Sequence, residues 1–303
     1  MIEEQNKKHI PVLLTETLEA LNLRSGLNVI DCTVGAGGHA EKILEHIAPA
    51  GRLLGLDLDE AALETTRRNL ARFGSRAMLV RANYRNVDQV LLSISFGSFQ
   101  AALLDLGFSS LEIDDPVRGF SLRHDGPLDM RFDREQELTA AQIVNSSTID
   151  ELTRIFSEFG EEREAQRIAR AIVAARKEER IISTLRLAEV VSAAVSAYRR
   201  RQRIHPATKI FQALRIVVND ELGNVREGLP KLFDQLESGG RLVVISFHSL
   251  EDRLVKRFIR DKVRAGEARC INRRPLVPTD EEIKRNNRSR SAKLRAIEKI
   301  ANR

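Results

Sequence analysis

Residues 27–39 read Leu27-Asn-Val-Ile-Asp31-Cys-Thr-Val-Gly35-Ala-Gly37-Gly38-His39. An apolar run of Leu27, Val29 and Ile30 stops at Asp31, a small-residue turn carries Gly35, Gly37 and Gly38, and a helix is expected from about His39. Strand, glycine turn and helix in this order hold a nucleotide-like ligand at the edge of a parallel sheet. Glycines let the backbone take left-handed angles and let a ligand approach it. A second run, Arg52-Leu-Leu-Gly-Leu-Asp57, also ends in an acid, where a carboxylate would grip ribose hydroxyls.

The acid at Asp31 selects among nucleotide-like ligands. A dinucleotide site brings a diphosphate to the helix N-terminus, usually through Gly-x-Gly-x-x-Gly. Here the pattern is Asp31-x-Thr33-x-Gly35-x-Gly37. A carboxylate there would repel a diphosphate and suits a cationic end, such as the ammonium of S-adenosylmethionine. The expected fold is therefore α/β, a class I (Rossmann-like) methyltransferase sheet.

Four strands are predicted in the first half, at 27–31, 52–57, 77–81 and 101–106, with helices between them such as 61–73. Alternation of this kind implies a parallel sheet with helices on both faces. After Gly107 the rhythm changes to an irregular stretch and then to helices only. Thr148-x-x-Glu151 reads as a capping box. Three apolar stripes follow at helical spacing: Leu152 to Phe159, Ala165 to Val173, and Leu187, Val190, Val191, Ala194, Val195 and Tyr198. All three are read as core. A fifth strand is expected at 238–246. The domains predicted are 1–112 with 207–303, and an inserted helical substrate-recognition domain over 113–206, placed to act as a lid.

The chain has 303 residues and a formal charge of +6. From Arg269 to Arg303 there are 11 Lys/Arg and 4 Asp/Glu, a local +7, and Arg199, Arg200, Arg201, Arg203 and Lys209 stand together without an acid. Two basic segments fit a polyanionic partner, nucleic acid first. Cys32 and Cys270 are the only cysteines, so no metal motif is visible. The polar start shows no signal peptide, and no apolar run reaches the ~20 residues that cross a bilayer. A reduced, cytoplasmic protein without membrane contact is expected.

Asp105 closes the fourth strand in Leu103-Leu-Asp-Leu-Gly-Phe108. The lone pair of an exocyclic amine such as N4 of cytosine is delocalised into the ring. An acceptor for its N–H localises that pair toward a methyl donor, and in-line positioning supplies much of the rate. Asp105 is the candidate acceptor or cofactor contact, and Phe108 could stack on a base. Phe247-His-Ser-Leu-Glu-Asp-Arg253 follows the fifth strand, and His205-Pro-Ala-Thr208 stands beside the arginines. A nucleophilic Ser249 is not supported, because no Gly-x-Ser-x-Gly elbow is present.

Taken together, Asp31-Cys-Thr-Val-Gly-Ala-Gly-Gly-His39, Asp105-Leu-Gly-Phe-Ser-Ser110, Arg118-Gly-Phe-Ser121, Asp125-Gly-Pro-Leu-Asp-Met-Arg131, Gly160-Glu-Glu-Arg163, His205-Pro-Ala-Thr208 and Ser246-Phe-His-Ser-Leu-Glu-Asp-Arg253 resemble the MraW/RsmH family of bacterial 16S ribosomal RNA cytidine N4-methyltransferases. The resemblance runs from about His9 to the Asn287-Arg-Ser-Arg-Ser-Ala-Lys tail. It implies S-adenosylmethionine as methyl donor and a cytidine in the decoding centre of the small ribosomal subunit as target. Asp105 would be catalytic. Cofactor contacts would fall on Asp31, Gly35, Gly37, Gly38, His39, Asp57, Tyr84, Asp105 and Glu112. Tyr84 stands where a relative carries Phe, and either ring covers adenine. Glu112 stands where the family pattern has Gln; an ionised carboxylate cannot donate, so Glu112 would pair instead with the ammonium. Phe108, Arg199, Arg200, Arg201, Arg203, His205, Phe247, His248 and Arg253 would meet RNA. The assembly state, a homodimer included, is left open. The competing readings are a non-catalytic RNA-binding or ribosome-assembly protein with a vestigial pocket, and a nicotinamide-dependent oxidoreductase, which lacks its third spaced glycine.

Overall fold

The computed structural model describes residues 11–107, 115–202 and 204–301. The chain divides into two compact units: Met1–Gly107 with Leu222–Arg303, and Phe108–Glu221.

The first unit is built on seven strands: β1 Asn28–Asp31, β2 Arg52–Asp57, β3 Ala77–Arg81, β4 Phe99–Asp105, β5 Leu236–Ser246, β6 Ala268–Cys270 and β7 Lys293–Lys299. They form one sheet in the order β3-β2-β1-β4-β5-β7-β6. The first five pair in parallel, and β7 runs antiparallel to both β5 and β6. Strand side chains alternate between faces. Val29, Leu53, Ala101, Leu103, Val243 and Ile245 join one apolar cluster, while Ile30, Leu54, Ala102, Leu104, Leu242 and Val244 join another. Both faces are covered, so β1, β2 and β4 read as near-continuous apolar runs, as in buried parallel sheets. Because β1, β2 and β4 run the same way, Asp31, Asp57 and Asp105 end up at one carboxyl edge.

The expected strands are present within a residue or two, and β6 and β7 are additions. Lys293-Leu-Arg-Ala-Ile-Glu-Lys299 alternates polar and apolar residues, with Leu294, Ala296 and Ile297 buried. Its polar residues are largely occupied. Arg295 pairs with Asp252 at 2.7 Å, Arg269 with Glu298 at 2.7 Å, and Lys299 donates to the carbonyls of Asp234 and Leu236. The strand part of the C-terminal basic segment thus has much of its charge met within the fold, whereas Arg273, Arg274, Lys284 and Arg290 are exposed. Leu294→Ala is expected to cost about 2–5 kcal/mol in urea denaturation, the usual range for a buried leucine. A cost below about 1 kcal/mol would mean that β7 is peripheral to the first unit.

The second unit has its own core, to which Leu152, Phe156, Ile168, Ile172, Leu187 and Val191 contribute. Thr148 and Glu151 form the expected capping box, with the Glu151 N–H on Thr148 Oγ1 and the Thr148 N–H on the Glu151 carboxylate. The expected boundary at 206/207 is corrected to 221/222. The helix Thr208–Val218 turns Ile210, Phe211, Ala213 and Leu214 into this core, so it completes the helical unit instead of reopening the sheet domain. Two conspicuous sequence motifs serve this unit structurally. Buried Arg118 donates to the carbonyls of Arg131 and Phe132, and Asp129 holds Arg131 at 2.8 Å. Asp125 accepts the N–H groups of Gly126 and Leu185, tying the irregular stretch to the start of the helix Thr184–Ala194. Among the described residues no helix is long and apolar enough to cross a membrane.

Candidate active site

The glycine turn after β1 is locked from three sides. Gly35 and Gly37 take positive φ values of 50° and 84°, which favour glycine. A Cβ at Gly37 would also sit 3.0 Å from Thr66 Cγ2. From the helix Glu60–Leu70, Thr66 Oγ1 donates to the Gly35 carbonyl and Asn69 Nδ2 to that of Ala36, at 3.0 Å. The Gly35 N–H donates to Asp57 Oδ2 at 2.8 Å, and the Asp59 N–H to Asp57 Oδ1 at 2.9 Å. Asp57 therefore aligns the turn with the end of β2, and a carboxylate has further lone pairs for ribose hydroxyls. Sequence reasoning missed Thr66 and Asn69 because they read as the polar face of a helix.

Asp31 is 1% exposed and accepts only the Thr33 N–H, at 3.2 Å. Burial, and then the charge of Asp57, push its carboxyl up to about 7, against the Thr33 bond that pulls it down. Thr33 Oγ1 in turn accepts the Asp105 N–H at 2.7 Å, binding the end of β4 to the turn. Burial also raises Asp57, although its backbone bonds oppose this.

Asp105 stands well above the ordinary carboxylate range because of burial, the charge of Asp31 and the charge of Glu251. Among the described residues its Oδ1 is buried without a hydrogen-bond partner. Its Oδ2 lies 3.6 Å from His39 Nδ1, too long for a hydrogen bond. His39 is buried, and its Nε2 lies 3.0 Å from the Val12 carbonyl, which requires the proton on that nitrogen.

Glu251, missed as a site residue, is fully buried at the start of the helix Ser249–Arg264. Its Oε2 accepts the N–H groups of Phe247 and His248 at 2.8 and 3.2 Å, fixing the turn after β5. A Cβ at Gly107 would meet the Phe247 ring at 3.4 Å, so this ring lies against the turn after Asp105. His248, expected to meet RNA, caps this helix: Nδ1 accepts the Glu251 N–H and Nε2 lies 3.1 Å from Glu251 Oε1. Arg253 is exposed on the first turn of the same helix.

Tyr84 follows β3, and its ring packs on Gly228 of the helix Glu221–Gln235, where a Cβ would come within 2.5 Å of Cδ2. Nearby, Asn83 Nδ2 donates to Asn224 Oδ1 at 3.0 Å. Gly38 opens the helix Gly38–His46. In the second unit, the guanidinium of Arg199, expected to meet RNA, lies 3.5 Å from buried Glu162. His205 is exposed and accepts the Ala207 N–H on Nδ1. Arg200 and Arg201 are exposed. Phe108, Glu112 and Arg203 lie outside the described residues.

A parallel sheet with a closing antiparallel hairpin, and acids on consecutive strand ends beside a glycine turn, define a Rossmann-like methyltransferase. The chain belongs to the MraW methylase family, whose model matches residues 6–300. It is 47% identical to "Ribosomal RNA small subunit methyltransferase H" of Carboxydothermus hydrogenoformans, over 97% of this chain and 98% of that one. It is also 47% identical to the protein of that name from Symbiobacterium thermophilum, over 96% of each. A putative methyltransferase of Streptococcus mutans solved with SAH aligns with a TM-score of 0.46 at 13% identity, over 96% of this chain and 99% of its own.

The raised Asp31 carboxyl has a measurable consequence. The folded state holds this proton more tightly than the unfolded one, so stability falls as pH rises from about 4 to about 7. Asp31→Asn keeps an oxygen for the Thr33 N–H and removes the buried charge. The unliganded variant is expected to melt above the wild type at pH 8, with the difference fading by pH 4. A wild type more stable at pH 8 would contradict the assignment. Gly228→Ala should displace Tyr84 and weaken S-adenosylmethionine binding about 10-fold by calorimetry, the scale of one lost ring contact. Unchanged affinity would remove Tyr84 from the site.

Proposed function

We propose that this chain transfers the methyl group of S-adenosylmethionine to the exocyclic N4 of a cytidine in the decoding centre of 16S ribosomal RNA, acting in the cytoplasm on small-subunit particles. Membership of the MraW methylase family and the names of the relatives support the class of reaction and the RNA. The observation that carries the choice of an amine target is Asp105 Oδ1, a buried acceptor at the end of β4 without a partner among the described residues.

The residues present fit the cofactor. Asp57 is placed for ribose hydroxyls, Asp31 for the ammonium, Tyr84 for the adenine ring, and the Gly35–Gly38 turn for close approach of the methionine end. When bound, S-adenosylmethionine supplies a methyl group on a positively charged sulfur, which leaves as a neutral thioether. Asp105 accepts an N–H of the target amine through Oδ1 and so directs the nitrogen lone pair toward the methyl carbon. As the nitrogen–carbon bond forms, positive charge develops on nitrogen, and the buried carboxylate stabilises it. Its raised proton affinity suits Asp105 to take the proton that the amine then loses. Thr33 holds the Asp105 backbone amide, and His39 Nδ1 lies 3.6 Å from Oδ2.

Methyl transfer from labelled S-adenosylmethionine to small subunits lacking the modification, followed by nucleoside analysis, tests this reading. The product expected is N4-methylcytidine at one position. Label in any other nucleoside would overturn the target. Asp105→Ala should lower the rate at saturating RNA and cofactor by about 100-fold or more, the scale of losing one electrostatic stabiliser. A folded variant near the wild-type rate would exclude the role given to Asp105.

A further inference from the structure

We propose that Tyr198 is a nucleobase-stacking residue which, with Arg200 and Arg201, forms a single-stranded RNA contact on the helical unit. The proposal rests on the reading of the chain as an RNA methyltransferase and assigns a binding residue to it. At helical spacing Tyr198 belongs to the apolar stripe that begins at Leu187, and burial is expected. The structure corrects this. The helix Thr184–Ala194 ends at Val195 in extended backbone, and a four-residue helix, Ala197–Arg200, starts anew after Ser196 and buries no residue. Tyr198 is 78% exposed.

A single exposed apolar side chain is ordinary, but three observations set Tyr198 apart. The first is its seat. Glu164 accepts both the N–H and the O–H of Ser196, at 3.0 and 2.8 Å, and Glu162, only 3% exposed, pairs with Arg199. Arg199 also donates to Gln202 at 2.6 Å. Two acids of the Gly160-Glu-Glu-Arg-Glu164 turn thus clamp the segment on both sides of the ring, so little ordering remains to oppose binding. The second is charge. Arg199 is neutralised by Glu162, while the neighbouring Arg200 and Arg201 are exposed and have no carboxylate partner among the described residues. The third is composition. The chain has no Trp and two Tyr, and Tyr84 packs on Gly228. An exposed ring on a clamped turn beside uncompensated guanidinium groups is the device that stacks a base and neutralises adjacent phosphates.

The test uses the full chain, a short fluorescent cytidine-containing single-stranded RNA, and titrations over a range of salt. Tyr198→Ala is expected to weaken binding about 5- to 150-fold with an unchanged salt slope and melting temperature. Tyr198→Phe should bind like the wild type. The double variant Arg200→Ala with Arg201→Ala should lower the log–log salt slope by about 1.4. Tyr198→Ala binding as tightly as the wild type would overturn the proposal. So would an altered self-association with RNA affinity unchanged, which would make the turn a protein interface. Failure of the underlying reading is separate: a wild type that binds RNA but transfers no methyl to small subunits fails as an enzyme, while the Tyr198 comparison is still read on RNA binding.

Discussion

The hydrogen bond from the Gly35 amide to Asp57 is the contact on which the site depends. It joins the turn after β1 to the end of β2, and the Thr33 bridge to the Asp105 amide extends the tie to β4. Three strand ends are thereby held to one glycine turn. Three acids are brought together where water is scarce, and burial and mutual repulsion raise their proton affinities. Unliganded, this arrangement works against stability. A cation supplies what is missing, since its charge offsets the repulsion and lets the acids ionise. The energy that favours a positively charged donor is therefore built into the folded chain before any ligand arrives.

The same constraint sets up the role proposed for Asp105. Oδ2 faces His39, the backbone is held by Thr33, and Oδ1 remains without a partner among the described residues. A buried acceptor left unsatisfied costs on the order of 1–3 kcal/mol. Such a group is retained where a substrate donor completes it. Glu251 contributes in two ways: it fixes the Phe247–His248 turn through two backbone bonds, and its charge helps to keep the Asp105 carboxyl high.

Much of the sheet was legible in the sequence because buried parallel strands are short apolar runs ending in acids, and Asp31, Asp57 and Asp105 end theirs. β7 was not, since Lys293, Arg295 and Lys299 read as a basic tail, and Asp252, which pairs with Lys293 and Arg295, shows its role only in the fold. Tyr198 was misplaced for a different reason. Helical periodicity was extended past Ala194, but the Ser196 hydroxyl, gripped by Glu164, starts a new turn and rotates the ring outward. The partners of His248 and Arg199 are hidden in the sequence, because a lone His or Arg in a polar motif carries no sign of them. Glu251 and Glu162, each three or more residues away along the chain, supply those partners only in the folded state. The Thr208–Val218 helix was assigned to the wrong unit because an amphipathic stripe does not say which core it faces.

If binding of the cationic donor ionises the buried acids, Asp31 first, it releases protons. Calorimetric titration of the wild type with S-adenosylmethionine at pH 7, in buffers of differing ionisation enthalpy, counts the protons exchanged. With the Asp31 carboxyl near 7, the account predicts release of about half a proton or more, and markedly less for Asp31→Asn. Binding without proton release in the wild type, or with proton uptake, would contradict it.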